Sequence, residues 1–109
     1  MGLDITATKR RKITCPKCGE VVDYKDVKSV DSGGSAWYEF LEPIGYYVPY
    51  ERRTEENDWY GKDMVLSCEQ ALKMRDFIER YKPYDGKNIS SLIAEALLEG
   101  DDIVINADW

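Results

Sequence analysis

The sequence predicts the α+β class, with a small antiparallel sheet packed against two helices. Three observations indicate this class. Apolar and polar residues alternate in the first segment of the chain, two later segments repeat apolar residues at helical spacing, and residues 103–105 form a short apolar run after them. At 109 residues, the chain has the length of one compact domain, and we expect residues 1–109 to form a single domain.

The N-terminal third of the chain is predicted to contain strands and a hairpin. Residues 3–8 alternate apolar and polar side chains, which is the period of a half-buried strand. Residues 12–15 and 20–24 are predicted to pair antiparallel across a turn at residues 16–19. Residues 32–35, Ser-Gly-Gly-Ser, predict a flexible loop.

Two aromatic segments in the middle of the chain are predicted to be strands. Residues 36–41 and 44–50 are rich in Trp, Tyr and Phe, which favour extended backbone. Pro43 and Pro49 would confine these strands to sheet edges or strand ends. Residues 51–63 are predicted to be an ordered loop, because this charged stretch also carries Trp and Tyr.

Two helices are predicted in the C-terminal half. Ser67 and Gln70 have the spacing of a capping box, and Pro83 ends the helical pattern that begins there. A second helix is predicted over residues 89–99, capped by Asn88 or Ser90 and ended by Gly100. The predicted buried faces are Cys68, Ala71, Met74, Ile78 and Tyr81 in the first helix and Leu92, Ile93, Ala96 and Leu97 in the second.

Charge is distributed unevenly along the chain, whose net charge is −6. Residues 1–18 carry five Lys or Arg side chains and one Asp, whereas the rest of the chain carries ten basic and 20 acidic side chains. An acidic body is repelled by phosphate backbones and attracted to basic surfaces, including the nucleic-acid channels of other proteins. The charge therefore favours a basic protein as partner over direct contact with nucleic acid.

Composition excludes several classes of function. The chain contains no histidine, which removes the usual general base, the usual triad member and the commonest zinc ligand. No apolar run approaches the roughly 20 residues that a membrane span needs. The first residues do not resemble a secretory signal, so we expect a cytoplasmic protein with its three cysteines reduced.

The motif Cys15-Pro16-Lys17-Cys18-Gly19 has the form of a zinc knuckle at the tip of the predicted hairpin. Two thiolates separated by two residues can bind one tetrahedral ion, and glycine permits the tight turn that follows them. A redox dithiol and a pair without a role are the alternatives. Redox pairs of this spacing usually begin a helix, whereas a strand is predicted here, so zinc is favoured.

Cys68 is predicted to be the third zinc ligand, because the first turn of a helix favours a thiolate. A small core residue is the alternative interpretation of Cys68. Without histidine, the fourth ligand must be a carboxylate, a water or a group from another chain. Asp4 is the first candidate, since its strand is a predicted neighbour of the knuckle. The other candidates are Asp23, Glu20 and Glu69. The zinc would be structural, and its loss would unfold the N-terminal half.

Acidic and aromatic side chains in the second half of the chain are predicted to contact a protein partner. The predicted contact residues are Glu55, Glu56, Asp58, Trp59 and Asp63, with Asp101 and Asp102 behind them. Two other functions remain open. The basic run from Lys9 to Lys12 could bind phosphates in a zinc-ribbon nucleic-acid or adaptor module, and Cys15 with Cys18 could serve an oxidoreductase.

The chain also resembles two groups of known proteins. Its opening, Met1-Gly2-Leu3-Asp4-Ile5, resembles the start of small phage- and prophage-encoded proteins. A small, acidic, histidine-free chain with a metal knuckle is similar to the anti-CRISPR inhibitors of type II-A systems. This resemblance implies a phage origin and a non-enzymatic inhibitor that binds an RNA-guided effector nuclease in a bacterial cytoplasm. It implies a block of guide loading, DNA entry or domain movement, and carries no functional residues over to this chain.

Overall fold

The computed structural model describes residues 3–109 and has the predicted α+β class. Met1 and Gly2, the first two residues of the opening that resembles phage proteins, lie outside the described residues. Within residues 3–109, four strands form one antiparallel sheet in the order β2-β1-β4-β3, accompanied by three helices. The elements are β1 (Asp4–Thr14), β2 (Val21–Gly33), α1 (Tyr38–Leu41), β3 (Met64–Leu66), α2 (Cys68–Tyr81), α3 (Gly86–Glu99) and β4 (Asp102–Asp108).

The hydrophobic core lies between one face of this sheet and the helices. Ile5 and Ala7 of β1 alternate inward, and Ile103 and Ile105 of β4 do the same beside them. These side chains pack in one buried cluster with Met74 of α2 and with residues of α3. No helix within residues 3–109 combines the length and the apolar character that crossing a bilayer requires.

The predicted hairpin is confirmed, and both of its strands are longer than predicted. The two N-terminal segments that we predicted as separate strands form the single strand β1. At the turn, the amide of Gly19 donates to the carbonyl of Cys15 (2.8 Å), and the amide of Cys15 donates to the carbonyl of Glu20 (2.8 Å). Gly19 has a φ of 74°, a left-handed conformation that glycine adopts without strain.

The prediction of a strand over residues 36–41 is wrong. Residues Ser35–Trp37 form a 3₁₀ turn that leads directly into α1. Trp37, Phe40 and Leu41 are buried, and their spacing is that of one helix face. Aromatic composition favoured a strand here, but this helical spacing decides the conformation because it places three large side chains in the core.

The prediction of a strand over residues 44–50 is also wrong, since these residues form turns without sheet pairing. Tyr46 explains the conformation: it is fully buried, and its hydroxyl donates to the carbonyl of Lys62 (2.6 Å) and accepts from the amide of Ala107 (2.7 Å). One side chain therefore fastens this segment to β4. Residues 51–63 form the predicted loop, apart from a 3₁₀ turn at Tyr50–Arg52.

Helix α2 begins and ends close to the predicted positions. Its capping box is present: the Ser67 hydroxyl accepts from the Gln70 amide (3.1 Å), and the Gln70 side chain accepts from the Ser67 amide (2.9 Å). Three of the five residues predicted to be buried in α2 are buried, and Phe77 joins them. Cys68 and Tyr81 are exposed, which corrects their predicted burial.

Helix α3 begins earlier than predicted, at Gly86, so the predicted caps Asn88 and Ser90 lie inside the helix. The first residue of α3 lies close to α2. A Cβ atom on Gly86 would stand 2.7 Å from a methyl carbon of Ile78, so glycine is needed where the two helices meet. Gly100 ends α3 in the left-handed conformation, as predicted.

Candidate functional site

The basic run predicted as a phosphate-binding site lies in β1, where the structure pairs all four of its cations with carboxylates. On the core-facing side, the Lys9 ammonium lies 2.6 Å from a carboxylate oxygen of Glu99 and 3.7 Å from one of Asp101. Arg11 contacts the same two carboxylates at 2.6 and 3.0 Å. The C-terminal end of α3 therefore neutralises two of the four cations.

The other two cations lie on the opposite side of the sheet and are also paired. Arg10 contacts Asp26 at 2.7 Å and Asp63 at 3.3 Å, and Lys12 lies 3.6 Å from Asp102. The basic run is thus tied into the fold at four points, and phosphate binding would compete with these internal ion pairs.

Three residues predicted to contact a partner are engaged in these ion pairs. Asp101 has a side chain that is only 4% exposed, and the hydrogen bond from Arg11 lowers the pKa of its carboxyl. Asp63 accepts from the Asn106 amide at 2.9 Å, and this hydrogen bond lowers the pKa of Asp63, as does Arg10. Asp102 pairs with Lys12. These carboxylates therefore stabilise the sheet, and Asp101 is too buried to serve as a docking residue.

The cysteine motif lies at the tip of the β1–β2 hairpin. Cys18 is exposed and Cys15 is half-buried. The backbone N–H groups of Cys18 and Lys17 point at the sulfur of Cys15 and lower the pKa of its thiol, and the Cys18 thiol adds to this effect. Donors directed at a sulfur stabilise its thiolate, the form that binds zinc. The two cysteines therefore fit one half of a tetrahedral zinc site.

Of the other predicted ligands, Glu20 and Asp23 lie in the same hairpin as this pair, whereas Asp4 and Cys68 lie far from it. Asp4 begins the 11-residue strand β1 and Cys15 follows its end, a separation of roughly 35 Å at the rise of an extended strand. Cys68 follows β3, whose last residue is level with Lys9 across the sheet. Cys15 lies six residues beyond Lys9, roughly 20 Å further along the hairpin. Within residues 3–109, no three His, Cys, Asp or Glu side chains group closely enough to hold a metal.

The remaining predicted contact residues lie in the segment 55–60, which we call the acidic–aromatic loop. Glu55 and Glu56 are exposed and have no ion-pair partner within the described part of the chain, whereas Asp58 and Trp59 are half-buried. Trp59 stacks on Tyr46 with ring centroids 6.2 Å apart. Of the seven predicted contact residues, these four are the ones that the structure keeps together outside the ion-pair network.

An aromatic cluster anchors the acidic–aromatic loop to the end of β4. Trp109 meets Tyr47 and Tyr60 edge to face, each at 5.0 Å, and the guanidinium of Arg53 lies 5.4 Å from the Trp109 ring centre. Such contacts stabilise the cluster in addition to the effect of burying the apolar surface of the rings. The exposed carboxylates of the loop therefore lie next to a packed aromatic cluster.

Sequence reasoning missed two residues that organise these sites, Lys9 as a buried cation and Tyr46 as an anchor. The alternation of Ile5 and Ala7 continues to Lys9, so the period of two already directed Lys9 inward. Tyr46 had no comparable signal, because its partners lie 16 and 61 residues away along the chain.

A groove of about 1200 Å³ lies between α2 and α3. Side chains of both charges line it, including Arg75, Glu79 and Lys87. Every buried side-chain N or O atom in the described part of the chain has a hydrogen-bond partner. The groove therefore presents no buried polar group that awaits a ligand.

Comparison with known proteins found no matching family model, no matching curated protein and no matching solved structure.

Proposed function

We propose that the protein is a non-catalytic inhibitor that binds a basic surface of an RNA-guided effector nuclease through the acidic–aromatic loop. One observation carries the proposal. Four of the five cations in residues 1–18 are ion-paired within the chain, whereas Glu55 and Glu56 are exposed without an ion-pair partner among residues 3–109. The charge of this loop that no ion pair within residues 3–109 neutralises is therefore negative. The kind of nuclease and the phage origin follow from the family resemblance alone.

The physical basis of the proposed binding is electrostatic attraction with aromatic anchors. A nuclease channel that holds nucleic acid is lined with Lys and Arg, so exposed carboxylates can occupy it in place of phosphates. Tyr60, the last residue of the loop, is 47% exposed, and Tyr50, which precedes the loop in the chain, is 83% exposed. Exposed tyrosines at the centre of an interface commonly contribute a large share of binding energy.

The test measures inhibition of a type II effector nuclease by the purified chain, together with co-precipitation of the two proteins. The double variant Glu55→Gln/Glu56→Gln should inhibit at least tenfold less, because it removes two charges from the proposed interface. The matched control Glu39→Gln/Glu79→Gln removes the same charge from exposed positions on α1 and α2 and should inhibit like the natural chain. Inhibition should also weaken as salt is raised.

Two outcomes would contradict the proposal. Absence of binding at micromolar concentration would remove the inhibitor function for this class of nuclease. A salt-sensitive gel shift with DNA or RNA that is lost in a Lys12→Gln/Lys17→Gln variant would instead favour the nucleic-acid module. The proposal expects no such shift, because Lys12 and its three basic neighbours already have carboxylate partners.

A further inference from the structure

The tip of the β1–β2 hairpin carries two ligands of a site that requires four. Closed tetrahedral zinc sites have four protein ligands, with zinc–sulfur distances of about 2.3 Å. Cys15 and Cys18 supply two, and the turn that ends at Gly19 holds both at the hairpin tip, with the Gly19 amide donating to the Cys15 carbonyl. Such a pair binds zinc as half of a complete site.

The rest of the chain cannot supply the missing ligands in this fold. Pairing between β1 and β4 ends at Arg10, so the hairpin continues beyond the sheet as a two-stranded arm, residues 11–25. Apart from half-buried Cys15, every residue of this arm is exposed. Asp4 and Cys68 lie far from the tip. Glu20 and Asp23 lie in the arm itself, but neither joins the two cysteines in a group of three ligands close enough to hold a metal within residues 3–109. The two missing ligands must therefore come from outside this copy of the chain.

We propose that two copies of this chain meet at their hairpin tips and share one Zn²⁺, bound by Cys15 and Cys18 of each copy. A second copy supplies the missing ligands in the same geometry, because a two-fold axis through the metal relates one pair of sulfurs to the other. This arrangement is self-complementary and closed, as in most homodimers.

Charge at the tip suits this arrangement. Four thiolates around Zn²⁺ leave two negative charges on the site. Lys17 lies between the two cysteines in each copy and has no ion-pair partner in the described part of the chain, so the two lysines offset that charge. Each tip also carries Glu20 next to the turn, so residues 15–20 hold one basic and one acidic side chain besides the two thiols, and two copies meet there without an excess of like charge before the metal binds.

The arm also carries apolar side chains that a second copy would cover. Ile13, Val21, Val22 and Tyr24 flank the knuckle, and each is at least 41% exposed. A two-stranded hairpin is marginally stable in water without a further packing surface. Contact between the two arms buries part of this apolar surface and adds to the zinc bonds.

The test titrates the metal-free 109-residue chain with Zn²⁺ under a thiol-free reductant, which excludes a disulfide-linked dimer. Light scattering should report a doubling of the 12.6 kDa molar mass, reversed by a chelator, at one Zn²⁺ per two chains. Cys15→Ser and Cys18→Ser should each abolish both the doubling and the tight metal binding. Cys68→Ser is the matched control and should retain both.

Three results would overturn the inference. They are one Zn²⁺ per monomeric chain, loss of zinc in Cys68→Ser, and a chain that binds no zinc or whose mass does not respond to zinc. Cobalt substitution gives a second readout, since four thiolates produce intense thiolate-to-metal absorption. Circular dichroism separates loss of ligands from misfolding, because the arm lies outside the core.

The inference does not depend on the proposed inhibitor function. Glu55 and Glu56 lie in the loop anchored at the end of the sheet where Asp4 pairs with Asp108, whereas the cysteines lie beyond the other end. The Cys15→Ser variant should therefore still inhibit the nuclease. The Glu55→Gln/Glu56→Gln variant should still double its mass with zinc. The failure of one proposal can thus be distinguished from the failure of the other.

Discussion

Lys9 is a cation on the core-facing side of β1, at a position where an apolar side chain would be expected. Its side chain is 5% exposed, and Ile5 and Ala7 of the same strand face are fully buried. A buried charge is tolerated only when it is paired, and here Glu99 and Asp101 supply the partners. Lys9 also lies at the C-terminal end of α3, where a positive charge complements the helix dipole.

Substitution of Lys9 tests this role. We expect Lys9→Met to lower the free energy of unfolding by about 2 kcal/mol, because Asp101 loses a buried partner while Arg11 still pairs with it. Urea denaturation of the natural chain and the variant measures the difference. Lys28→Met is the matched control: Lys28 lies directly opposite Lys9 on β2 but is half-exposed in its contact with Glu95, so a change within about 0.5 kcal/mol is expected. Equal stability of both variants would contradict the assigned role.

Among the elements, α2 and α1 show how far local patterns determine conformation. The capping box that starts α2 joins residues three positions apart, so the sequence contains all of its parts. The aromatic composition of residues 36–41 favours a strand, whereas their apolar residues are spaced for one face of a helix. The helix forms because it buries these side chains in the core. The Trp37 indole also donates to the hydroxyl of Ser32 (3.0 Å), which in turn donates to the carbonyl of Tyr84.

The capping box gives a prediction at this scale. Ser67→Ala should lower the free energy of unfolding by about 1 kcal/mol, since the amide of Gln70 loses its acceptor at the helix start. Thermal or urea unfolding measures the change. Ser91→Ala replaces an exposed serine inside α3 and should leave stability nearly unchanged. If Ser67→Ala behaves like Ser91→Ala, the cap does not stabilise the helix.

The whole molecule consists of a packed body and a projecting arm. Strand β4 is the last in the chain, yet it lies between β1 and β3 at the centre of the sheet. The arm extends beyond that sheet in a molecule 48 Å long. Its residues contribute nothing to the buried core. The body should therefore fold independently of the cysteine knuckle, contrary to the structural role that the sequence predicts for zinc.

A shortened arm tests this division. Replacing residues 13–23 by Asn-Gly joins Lys12 to Tyr24, which face each other across the hairpin. The variant should keep its melting temperature within about 5 °C, because no core residue is removed. A chain that ends at Gly100 lacks β4 and should not fold, which gives the comparison. Unfolding of the short-arm variant would show that the knuckle stabilises the body.

The short-range features of this protein can be predicted from its sequence. The capping box at Ser67, the stop at Gly100 and the hairpin turn at Gly19 each join residues a few positions apart, so local chemistry suffices to predict them. The same holds for the inward alternation along β1. The cysteine pair belongs with these features, since both ligands lie within one turn.

Long-range packing decides the features that the sequence alone did not reveal. The central place of β4, the burial of Lys9 and the distance of Asp4 and Cys68 from the knuckle all depend on which strands pair and in which register. The register of the strands depends on how much apolar surface the assembled sheet and helices bury together. A short segment of sequence does not determine that area, so it does not determine the register. For the same reason, the carboxylates Asp63, Asp101 and Asp102 pair with the basic run instead of facing a partner.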